Sequence, residues 1–187
     1  EQQTRTSLSR IDNRARVGTV MESVISIVAT GDGTIVYYDH WEDGYELDIA
    51  NPSQPTTRIW GDGNPANGDA SAAGWCGPAC AGDVIDGGDV VALRNAVSLP
   101  RNSATVLFDG RDKVGTTQAV TVSRAEWAIT PGTVLAGAVE VLSVAKFGTD
   151  YEMPLGENLA SNQMFEHSSL FVMAASNSTA CTFQSTP

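Results

Sequence analysis

Apolar residues in this chain come in short bursts separated by glycine, proline and small polar residues. The first two bursts, Ser23-Val-Ile-Ser-Ile-Val-Ala29 and Thr34-Ile-Val-Tyr-Tyr38, flank Gly31-Asp-Gly33. Those glycines permit positive φ, and the pattern predicts a β-hairpin. Tyr45–Ile49 and Thr56–Trp60 predict two short strands divided by Asn51-Pro-Ser-Gln-Pro55. Strand patterns resume at Asp89–Leu93, Ala104–Phe108, Ala119–Ser123 and Val134–Leu142, and Leu170–Ala174 and Cys181–Phe183 close the series. In Ala119–Ser123 the apolar Val120 and Val122 alternate with Thr121 and Ser123, the period of a strand with one buried face. No long amphipathic helix interrupts the series. The expected fold is all-β, an antiparallel β-sandwich of about ten strands with one long Gly/Ala-rich loop over residues 61–88. A loop of that length is usually functional or held down.

The 187 residues suffice for one sizeable core. The expected organisation is a basic N-terminal arm, residues 1–16, followed by a single β-sandwich domain, residues 17–187. Arg5, Arg10, Arg14 and Arg16 give the arm a balance of +2, whereas the rest of the chain stands at −13. An arm of opposite charge to its body can fold back or dock on a neighbouring copy. The net charge of −11 argues against a nucleic-acid partner, since phosphate binding needs a basic surface. No apolar run approaches the roughly 20 residues that a membrane-crossing helix needs. The opening Glu1-Gln-Gln reads as a mature product whose leader has been removed. An extracellular location is therefore expected.

Three cysteines fit that setting. Cys76 and Cys80 are separated by Gly-Pro-Ala, with no second pair and no nearby histidine, so zinc is not expected there. A Cys76–Cys80 disulfide pinning the long loop is the favoured reading, and a reduced structural set is the alternative. Cys181 would then be free, buried or paired between chains. Asn177-Ser-Thr is a sequon, so Asn177 is the candidate N-glycosylation site.

The densest chemistry lies in YYDHWEDGYE, residues 37–46. Catalysis is not expected. His40 and His167 are the only neutral-pH bases, and no nucleophile motif accompanies them. Six carboxylates fall between residues 32 and 48 without a Lys or Arg. Asp39, Glu42, Asp43, Glu46 and Asp48 form the candidate calcium site, because hard cations take carboxylate and carbonyl oxygens. Asp109 and Asp112 flank Arg111, which is expected to satisfy them. Trp41, Tyr45 and Trp60 are the candidate sugar-stacking rings, against the alternative that alternate aromatics fill the core.

YYDHWEDGYE, with Thr57-Arg-Ile-Trp-Gly-Asp-Gly63, Phe108-Asp-Gly-Arg-Asp112, Arg124-Ala-Glu-Trp127, Ala136–Glu140, Tyr151–Glu157 and Met164–Ser168, resembles a family of secreted, cell-surface β-proteins. Those proteins often carry repeated β-domains downstream. A more distant similarity links the chain to the amino-terminal domain of IgGFc-binding proteins. The resemblance implies an extracellular module for adhesion or architecture and supplies no catalytic residues. The expected role is a self-assembling subunit of a surface fibre or layer, joined by its arm to a neighbouring copy. The alternative is an adhesion module binding glycans, calcium or both.

Overall fold

A computed structural model describes residues 20–68, 82–98, 100–129, 136–152, 172, 174 and 178–184. The chain divides into two compact units, residues 1–141 and 142–187. The first holds seven antiparallel strands: β1 Val20–Ala29, β2 Val36–Asp39, β3 Arg58–Trp60, β4 Val90–Ser98, β5 Lys113–Thr116, β6 Val120–Ala128 and β7 Ala136–Val141. They form a four-stranded sheet in the order β4-β1-β6-β7 and a three-stranded sheet in the order β3-β2-β5. The all-β expectation holds, with seven strands among the described residues.

β1 sets the frame. Its residues Met21, Ser23, Ile25, Ile27 and Ala29 alternate onto one buried face. Registers Ile25↔Leu93, Ile27↔Val91 and Ile27↔Val122 extend that face onto β4 and β6. Val36, Tyr38 and Trp60 from the smaller sheet pack into the same apolar cluster, joined by Ile85 and Phe108 from loops.

The clearest expected turn is real, but its topology differs. Gly33 adopts φ 68°, yet β1 and β2 belong to different sheets and do not pair. The Gly31–Gly33 turn therefore carries the chain from one sheet to the other. Thr30 and Thr34 direct the crossing: Thr30 Oγ1 donates to Ala119 O at 2.6 Å and Thr34 N to Ile85 O at 3.1 Å.

Two expected strands are turns instead. Over residues 45–49, Asp39 accepts the Glu46 N–H, and Glu46 and Asp48 in turn accept N–H groups from the chain that follows, as set out below. Over residues 104–108, Asn102 takes over: its Oδ1 accepts from Ala104 N at 3.0 Å and its carbonyl from Thr105 N at 3.2 Å. β5, which no pattern announced, has one large apolar residue, Val114.

The described ends of the long loop are tied by Asp83. Its Oδ2 accepts from Asp62 N at 3.1 Å and Gly63 N at 3.2 Å, and its carbonyl also accepts from Gly63 N at 3.0 Å. Cys76 and Cys80 lie outside the described residues, as do the arm with Arg5, Arg10, Arg14 and Arg16, and Asn177.

Gly61 and Gly63 have similar positive φ, 88° and 85°. A Cβ on Gly61 would strike Thr34 O, whereas one on Gly63 meets nothing within 4 Å. Gly63→Ala is expected to cost only the left-handed backbone penalty, about 1–2 kcal/mol. Gly61→Ala should exceed it by about 1–3 kcal/mol of steric conflict. Equal midpoints in urea unfolding would contradict this.

Among the described residues of the second unit, Val144–Lys146 forms a 3₁₀ turn capped by Ser143, whose Oγ accepts from Ala145 N at 3.3 Å. Gly148 N donates to Tyr151 Oη at 2.5 Å. Cys181 is an exposed free thiol. Among the described residues no helix is long and apolar enough to cross a membrane.

Candidate functional site

The first half of YYDHWEDGYE is the end of β2, and β2 pairs with β5 through Asp39↔Lys113. The next position outward on each chain is His40 and Asp112. Alternation along β2 and its extension aims Tyr38 and His40 to one side, and the turn that follows brings Glu42 beside them. The loop from Phe108 to Asp112 closes over them, with Arg111 held at φ 79°. A non-glycine residue in that region stores strain, which persists where the surroundings over-determine it.

The result is a buried polar cluster inside an aromatic shell. The side chains of His40, Glu42 and Asp112 are only 2–3 % exposed. The Tyr38 ring stands 5.1 Å from both His40 and Phe108, and His40 stands 4.8 Å from Phe108. Tyr38 Oη donates to Asp112 Oδ2 at 2.5 Å, and Trp41 N donates to Asp112 Oδ1 at 3.3 Å. His40 Nδ1 lies 3.7 Å from Asp112 Oδ2. Arg101 bridges two acids, pairing with Glu42 Oε1 and donating from Nε to Asp109 Oδ2 at 2.5 Å. Arg124, from β6, packs its guanidinium about the backbone of Gly110, whose added Cβ would stand 3.1 Å from it.

Arg111, which the sequence placed between Asp109 and Asp112, packs on an aromatic ring. Its guanidinium carbon sits 4.9 Å from the Trp41 ring centroid, with that of Arg101 at 5.7 Å. Arg101 pairs with Asp109.

Burial raises the Asp112 pKa to about 7; the Asp109 and Glu42 charges add to this, against the Tyr38 hydrogen bond. Burial likewise raises Glu42, opposed by Arg101, and raises Tyr38 well above its ordinary value. An acid whose pKa is higher folded than unfolded holds its proton more tightly when folded. Asp112 therefore stabilises the fold most below about pH 4, and this contribution is lost as pH rises to about 7. In chelator-treated protein, Asp112→Asn is expected to flatten the stability–pH curve across that window. An unchanged slope would contradict the assignment.

The five candidate calcium ligands do not converge. Asp39 is buried and its Oδ2 accepts from Glu46 N at 2.9 Å. Glu46 accepts from Ser53 N at 2.7 Å and Gln54 N at 2.5 Å. Asp43 accepts from Thr56 Oγ1 at 2.5 Å. Asp48 accepts from Ala50 N at 3.2 Å and Asn51 Nδ2 at 2.8 Å. These four build the turns over residues 39–56. Glu42 alone enters the buried cluster.

The aromatic candidates also divide. Trp60 is 1 % exposed and belongs to the core, so it offers no face to a sugar. Trp41 is half-buried beside two guanidinium groups. Tyr45 is 53 % exposed, with its hydroxyl donating to Arg111 O at 2.6 Å. Arg101, Asp109, Asp112 and Arg124 had no local signal tying them to His40, since a strand register and two loops bring them there. No family model, no curated protein and no solved structure matches this chain.

Proposed function

We propose that this chain is an extracellular structural module, a β-sandwich whose copies join by adding a strand to the open edge of β7. The observation that carries this reading is the character of that edge. Arg58 lies on β3, Arg94 on β4 and Lys113 on β5, so each of the other three sheet edges carries a cation that blunts pairing. β7, Ala-Gly-Ala-Val-Glu-Val, has none. Register Arg124↔Val139 and Val122↔Val141 puts Val139 and Val141 on the core-facing side, yet they are 61 % and 43 % exposed. Among the described residues no strand pairs with its outer edge, and an apolar edge strand is a template for strand addition.

The donor in this proposal is the arm of a second copy, residues 1–16, whose positive balance suits an acidic body and Glu140 on β7. Head-to-tail donation gives a ring or an open filament. The motif resemblance to secreted surface proteins supports the same setting. Light scattering of the purified chain should report oligomers that disappear when residues 1–16 are deleted. Oligomers that survive the deletion would remove the arm as donor, and a monomer throughout would remove the reading.

A second reading, an adhesion module for glycans or calcium, is favoured by the loop tip, where Tyr45 and Leu47 stand fully or half in solvent. It predicts a monomer that responds to calcium or to glycans.

A further inference from the structure

Beyond assembly, and independent of it, we propose that His40, Glu42 and Asp112 form a binding site for a first-row divalent metal ion of the zinc class. Each of the three offers a ligand atom, and these atoms all lie within 4.8 Å of one another. Donors about 2 Å from one ion stand about 3–4 Å apart, so small rotamer changes close the site. The placement is not local crowding of acids on a surface. His40 directly follows β2, Glu42 lies in the turn after it, and the chain entering β5 supplies Asp112.

Two further observations point to a cation. Glu42 Oε2 is buried and has no hydrogen-bond partner among the described residues, and the same holds for Asp109 Oδ1. A buried carboxylate oxygen without a donor is costly, and a metal ion removes that cost. Charge argues the same way. Three carboxyl groups, Glu42, Asp109 and Asp112, face two guanidinium groups, Arg101 and Arg124, so a proton or a cation completes the balance.

The donor set selects the metal. One imidazole nitrogen and two carboxylate oxygens suit zinc or manganese, whereas calcium takes six to eight oxygens. The side chains are 2–3 % exposed, so the ion would be shielded from bulk solvent, and three protein ligands leave a fourth position for water. The ion would pin the end of β2 to the Phe108–Asp112 loop.

The test uses the full chain, stripped with chelator and with its thiols alkylated so that Cys76, Cys80 and Cys181 cannot bind. Zinc, manganese and calcium salts are titrated separately, with calorimetry for stoichiometry and thermal unfolding for stabilisation. One equivalent of zinc or manganese is expected to bind and raise the melting temperature, and calcium is not. His40→Gln and Glu42→Gln should each weaken binding at least tenfold, and Asp48→Asn should leave it unchanged. If the first two variants do not fold, the wild-type cobalt spectrum decides, since an imidazole-ligated tetrahedral ion absorbs strongly in the visible. No stoichiometric binding, an unchanged affinity in folded Glu42→Gln, or a calcium response equal to that of zinc would overturn the proposal.

Discussion

Replacing Arg101 by methionine is expected to cost about 3–5 kcal/mol of stability. The Arg101 side chain is 9 % exposed and pairs with those of Glu42 and Asp109, themselves 3 % and 8 % exposed. Methionine keeps much of the volume but leaves two carboxylates buried without their cation. That is the expensive way to break a buried ion pair, because the remaining charges have no route to water. Arg94→Met is the control. Arg94 pairs with Glu22 on the neighbouring strand, but its side chain is 56 % exposed. Its loss should cost less than about 1 kcal/mol. Denaturant unfolding of both variants measures the contrast, and comparable losses would mean that the Arg101 bridge is solvated.

Trp60→Ala is the second large effect, about 3–5 kcal/mol. The ring is 1 % exposed and sits 6.4 Å from Tyr38 and 6.1 Å from Phe108, centroid to centroid. Gly68 leaves space for it, since a Cβ there would come within 2.8 Å of the indole. A domain of this size has about 5–15 kcal/mol in total, so the variant should be largely or partly unfolded at 37 °C. Tyr45→Ala, at the exposed loop tip, should lose about 1 kcal/mol with its hydrogen bond to Arg111 O. The pair separates an aromatic that builds the fold from one that is half exposed. A Trp60→Ala chain as stable as the parent would place the indole outside the core.

These contrasts show what one sequence can carry. β1 was legible because its apolar residues alternate over a strand buried between two others. β5 was not, because a short edge strand with one large apolar residue has no period to read. Gly31 and Gly33 announced a turn, but a turn says nothing about which sheet receives the next strand. The carboxylates of residues 39–48 signalled unusual chemistry, and most of it turned out to be backbone capping. Asp39 and Glu46 accept N–H groups seven and eight residues away, which composition cannot distinguish from cation ligation. The site itself was half visible. His40 and Glu42 stand in the motif, but Asp112 joins them through the β2–β5 register, a long-range pairing that local pattern does not specify.

The central claim is that copies join through the open edge of β7, and electron microscopy of the purified, untagged chain beside Val139→Lys tests it most directly. Val139 is exposed, so lysine there should blunt the edge without disturbing the core. The account predicts regular assemblies of the parent chain and dispersed single particles of the variant, both equally folded. Dispersed particles in both samples, or unchanged assemblies in the variant, would contradict it.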